Sequence, residues 1–146
     1  MPVALIRLLQ GLCLIPTAAL FVGLLTCRLQ QACLGLAWPL PPEPDGHLST
    51  ELILASAPAI TLFLLIAVSG LLRHARPVAT LLLFSLCGTL AAYCAVCLLA
   101  GAYGNTWTPG EIFHELLLNH LTLLGLALLP GLMLSALLER ISHPHH

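Results

Sequence analysis

LLRHARPVATLLLFSLCGTLAAYCAVCLLA, from Leu71 to Ala100, decides the class of this protein. A tight basic turn, Arg73, His74 and Arg76, ends one apolar run. Pro77 then opens the next at the first helical position, where a missing N–H is no loss. From Pro77 to Ala100 there is no charged residue, and the run exceeds the roughly 20 helical residues needed to cross a hydrocarbon core. Two such runs joined by so short a turn predict a helical hairpin in a membrane.

Composition agrees along the whole chain. Of 146 residues, 59% are hydrophobic and 8% charged, whereas soluble domains carry roughly 25% charged residues. Mean hydropathy is +1.00. All five basic residues are arginines and the net charge is -1, which leaves no basic face for nucleic acid. The six cysteines fit neither a secreted disulfide framework nor paired CxxC zinc motifs.

Working outward, Val3 to Cys27 reads as a first span, retained rather than cleaved as a signal peptide, with a kink expected at Pro16. An outer loop over 28–48 includes PLPPEPDGH, which cannot continue a helix. Gln30 to Trp38 is expected to form a short interfacial helix. The second span is expected over 49–72, N-capped by Ser49 or Thr50 and kinked at Pro58, and the third over 77–100. After a turn at Gly101 to Thr108, the spacing of Thr108, Pro109 and Glu111 predicts a capping box at the head of a fourth helix over 109–138. The fold class is therefore an all-α integral membrane protein, one four-transmembrane-helix bundle over residues 1–146.

Arginine placement sets the expected orientation. Arg7, Arg73, Arg76 and Arg140 fall on one side and Arg28 on the other, so both termini are expected in the cytoplasm of a bacterial inner membrane. Association of spans in lipid relies on small residues at four-residue spacing. Ala19 and Gly23, Ala55 and Ala59, Gly88 and Ala92, Ala91 and Ala95, and Ala127, Gly131 and Ser135 supply such stripes. They exceed what one bundle requires, and the surplus is read as contact area for another membrane protein or a second copy.

Two groups of residues carry chemistry. Cys94 and Cys97 form CAVC near the outer end of the third span, and Cys27 and Cys33 lie on the same side. Packing thiols are the ordinary reading of cysteines in such surroundings. The second group lies on the fourth helix. At 100° per residue Glu111, Glu115, Asn119 and Thr122 share a face, His114 borders it, and His120 points away. This is a candidate polar or ion site, but the spacing of His114 and His120 misses that of a zinc-protease helix and no metal is expected. His143, His145 and His146 form a tail.

Four helices with a CxxC near the outer face and a second outer cysteine pair broadly resemble the thiol-quinone oxidoreductases, the disulfide-bond formation protein B and vitamin K epoxide reductase families. That resemblance implies a loop pair that accepts electrons and a CxxC that passes them to a quinone. The run LALLPGLMLSALLER slightly resembles the last span of small membrane subunits of tripartite transporters. No acidic residue stands at the centre of a span, and no hydrolase signature or phosphate loop occurs. The preferred expectation is a non-catalytic subunit that packs against a larger transporter or respiratory complex. A membrane oxidoreductase using Cys94, Cys97, Cys27 and Cys33, with quinone as its cofactor, is the alternative.

Overall fold

Pro16 shapes the first span. In the computed structural model, which describes residues 3–38, 47–72, 76–100 and 107–142, this span divides into α1 (Val3–Leu12) and α2 (Leu14–Gln31). Cys13 N bonds the Leu9 carbonyl at 3.1 Å and Thr17 N bonds Cys13 at 3.3 Å. Helical bonding thus continues on either side of the one bond that Pro16, without an N–H, cannot make to Leu12. The helix also runs further than expected, to Gln31.

It ends at Ala32, which takes a left-handed conformation (φ 51°) and bonds back to the Arg28 carbonyl. No interfacial helix follows. Instead the chain folds back over α2, with Ala37 N bonded to the Gly23 carbonyl at 3.1 Å. Gly23 lies beneath Leu36 and Trp38, where a Cβ would come within 2.9 Å of Leu36 Cδ2. This glycine, expected to line a contact between spans, receives the returning loop.

Helix α3 (Leu48–Val68) contains Pro58 and is N-capped by His47 rather than Ser49 or Thr50. It stops before Leu72, and Gly70 takes a positive φ of 82° in the turn that follows. Pro77 is the first residue of α4 (Pro77–Leu98), as expected. The last span begins with the predicted capping box: Thr108 N bonds Glu111 Oε2 at 2.7 Å and Glu111 N bonds Thr108 Oγ1 at 3.4 Å. It comprises a single turn α5 (Pro109–Glu111), a π-helix (Ile112–Leu117), a 3-10 turn (Leu118–His120) and α6 (Leu121–Ser142). The proline-rich segment 39–46, Arg73 and His74 of the basic turn, residues 101–106 and the tail histidines lie outside the described residues.

Four helices are long and apolar enough to cross a membrane, Val3–Gln31, Leu48–Val68, Pro77–Leu98 and Pro109–Ile141, and no strand occurs among the described residues. Helices α2 and α4 pack together at the centre, each also touching α3 and α6, while α1 reaches α3 and α6 at the opposite end from the thiols. Central position decides burial: of an apolar 18-residue stretch in each span, half is buried in the first and 39% in the third, against 28% in each flanking span. Phe63 and Phe84 meet edge to face at 6.4 Å in the core.

The small-residue stripes do their packing within the chain. Ala55, Ala59, Ala91, Ala92, Ala95, Ala127 and Ser135 are all buried. A Cβ on Gly88 would come within 2.5 Å of Leu128, and one on Gly131 within 2.7 Å of Phe84 and 2.9 Å of Thr17 Oγ1. Backbones thus approach closely in the centre. The surplus inferred from the sequence is therefore used in forming one bundle.

Candidate functional site

At the loop end, α2 and the returning chain bring Cys27 and Cys33 together. Their sulfurs are 2.7 Å apart, and Gln31 Oε1 accepts from both thiols, at 3.9 Å from Cys27 and 3.5 Å from Cys33. The left-handed Ala32 makes this possible by reversing the chain between them. The two thiols differ in access. Cys27 is 2% exposed, and Gly35 sits over it so closely that a Cβ there would lie 3.3 Å from its sulfur, whereas Cys33 is exposed.

Cys94 and Cys97 lie in the final turns of α4, both half-buried. With Leu98 they line an open apolar groove of about 350 Å³ against Leu54, Ala55 and Pro58 of α3. Pro58 has no N–H to offer the Leu54 carbonyl, which adds a polar backbone atom to a groove wall that is otherwise apolar apart from the thiols. Tyr93 holds the neighbouring turn. Its hydroxyl donates to the Pro109 carbonyl at 3.2 Å, interacts with Cys97, and its ring meets Phe113 edge to face at 5.8 Å.

The π-helix alters the expected polar face. Asn119 Nδ2 donates to Glu115 Oε2 at 2.9 Å, as an α-helical face would allow. His120, expected to point away, instead has Nδ1 3.2 Å from the Glu115 carbonyl five residues earlier. The contact is to the backbone of the π-helix, which ends at Leu117 before the 3-10 turn that carries His120. Glu115 thus contacts Asn119 through its carboxylate and His120 through its backbone carbonyl, all three exposed or half-exposed, while His114 is exposed and takes no part in these bonds. Among the described residues no group of three His, Cys, Asp or Glu could hold a metal ion.

The opposite end holds a cluster that the sequence reading missed. Arg7 pairs with Glu139 and donates to Gln10 Oε1 at 2.9 Å and Thr80 Oγ1 at 3.4 Å. Gln10 Nε2 donates to Glu139 Oε1 at 3.2 Å and to the Ser135 carbonyl at 3.3 Å. Side-chain exposure is 12% for Arg7 and 5% for Glu139, while Gln10, Thr80 and Ser135 are buried. The Ser135 hydroxyl has no hydrogen-bond partner among the described residues. A signal was available: Glu139 continues the four-residue register of Ala127, Gly131 and Ser135, the stripe already read as a packing face. The polar cluster places Arg7 beside the start of α4 and the end of α6, so Arg7, Arg76 and Arg140 share one end of the bundle.

No family model, curated protein or solved structure matches this chain. The functional reading rests on the residues and their geometry.

Proposed function

We propose that this chain is a non-catalytic subunit of a larger membrane assembly, of transporter or respiratory type, in a bacterial inner membrane. The carrying observation is the outward-facing cluster Glu115, Asn119 and His120 at the head of the last span. Exposed polar groups of this kind can hydrogen-bond to the polar part of an adjoining subunit. The last span supports the same reading by its length. Its 33 residues extend about 50 Å, well beyond a hydrocarbon core of about 30 Å. The cluster then stands at the headgroup level, within reach of a partner's extramembrane part. Both termini lie in the cytoplasm, because Arg7, Arg76 and Arg140 share an end and Arg28 occupies the other.

The test is to extract the untagged chain in mild detergent and identify what migrates with it. A partner at fixed stoichiometry, lost on Glu115→Leu with Asn119→Leu, is the expected result. Migration alone, or turnover by the purified chain, would sink the reading.

A thiol oxidoreductase remains the second reading, favoured by the contact of Cys27 with Cys33 and by the groove that Cys94 and Cys97 line. Quinone belongs to this reading only. Replacing Cys94 and Cys97 by Ala should abolish electron transfer from an added dithiol to a quinone without reducing expression; unchanged transfer in that variant would exclude it.

A further inference from the structure

We propose that Cys27 and Cys33 form an intramolecular disulfide that fastens the returning loop to the end of α2, with Cys33 as the thiol through which oxidation enters. The inference does not require a partner subunit or a quinone, and it rests on the orientation proposed above, which places this end outside the cytoplasm, where disulfides persist.

Three observations meet at this place. The sulfurs stand 2.7 Å apart, so a small side-chain rotation brings them to the S–S bond length of about 2.05 Å. The reversal between them is fixed by backbone bonds: Ala32 N to the Arg28 carbonyl, and Ala37 N to the Gly23 carbonyl. Access is unequal, because Cys27 is covered by Gly35 while Cys33 faces outward. A lone buried thiol would be a packing residue. A buried thiol held against an exposed one, on a chain reversal that brings them together, is a bond-forming pair.

The unequal access sets the order of steps. Cys33, having lost its proton to solvent, attacks one sulfur of an external disulfide, that S–S bond breaks, and a mixed disulfide forms at Cys33 as one thiolate leaves. Cys27 then loses its proton and attacks Cys33 Sγ, and the second external thiolate departs. In sum, two protein thiols give up two electrons and two protons, and the external disulfide becomes two thiols. Attack through Cys27 first would require Gly35 to move aside.

The bond does work in the fold that the thiols alone do not. It closes the loop whose Leu36 and Trp38 cover Gly23, so reduction should loosen the Trp38 contact while leaving the helices in place. Trp38 fluorescence, read in a Trp107→Phe background, reports that loosening.

The experiment uses the full chain in native membranes, with the other four cysteines replaced by Ala, and a membrane-impermeant maleimide mass tag. Without reductant neither thiol should take the tag; after reduction Cys33 should. Tagging of Cys33 before reduction would overturn the proposal. Cys27→Ser, treated with oxidised glutathione, should accumulate a glutathione adduct at Cys33, and Cys33→Ser should form at least tenfold less at Cys27. Equal adducts at both positions would refute the entry order. Protection released by reductant but requiring permeabilised membranes for tagging would support the bond and refute the orientation, so the two failures are distinct.

Discussion

Removing the carboxylate of Glu139 tests the inner cluster most directly. In Glu139→Ala, Arg7 keeps its charge at 12% side-chain exposure and, among the described residues, retains Gln10 and Thr80 as neutral acceptors. Stranding one member of a buried pair costs about 3–5 kcal/mol. Arg7 lies close to the start of its helix, and its long stem lets the guanidinium reach toward the interface, which lowers the cost to about 2–3 kcal/mol. Gln10 also loses an acceptor at 3.2 Å, worth about 1 kcal/mol of that sum. A penalty of 2–3 kcal/mol corresponds to roughly a 30- to 150-fold shift in the unfolding equilibrium, measurable by denaturing-detergent titration in mixed micelles. The companion variant Arg7→Met with Glu139→Leu removes both charges and should return to within about 1 kcal/mol of the parent. Because Arg7 also contributes to orientation, topology is checked in parallel. A single variant within about 0.5 kcal/mol of the parent, or a double variant as unstable as the single, would refute the argument.

Gly131→Ala should destabilise the bundle by about 1–3 kcal/mol, because the new methyl meets Phe84 and Thr17 where neither has room; the same titration reads it. Thr108→Ala removes half of the capping box and should cost about 1 kcal/mol, seen as faster amide exchange over the first turns of the last span. Ala32→Gly should stabilise the end of α2 by about 0.5–1 kcal/mol, since φ 51° disfavours a Cβ; a loss of stability there would contradict the left-handed cap. Replacing Gly70, at φ 82°, by Ala should cost about 1 kcal/mol although nothing stands near its missing Cβ, which separates backbone strain from crowding.

The long apolar runs made four helices legible, since only length and uncharged composition are needed to recognise a candidate span. Pro16, Pro77 and Thr108 announced a kink, a start and a cap because each acts through its own backbone or its near neighbours. What escaped was set by non-local contact. The return of the chain over Gly23 depends on Leu36 and Trp38 arriving from a loop, and a loop leaves no periodicity to read. The π turn escaped because a helical wheel assumes one rotation per residue throughout. Arg7 was visible as an orientation marker, whereas Glu139 fell one residue beyond the expected end of the fourth helix. Their pairing was not visible, because no local rule joins residues at opposite ends of a chain.

That pairing constrains synthesis as well as stability. Arg7 and Glu139 are 132 residues apart, so at about 5–20 residues per second the first charge waits roughly 7–26 s for its counterpart to emerge. During that interval α1 cannot settle in its final place between α3 and α6, and Arg7 must remain close to the aqueous boundary. The last helix therefore completes the first. Chains that stall before Glu139 is made carry an arginine without its carboxylate partner.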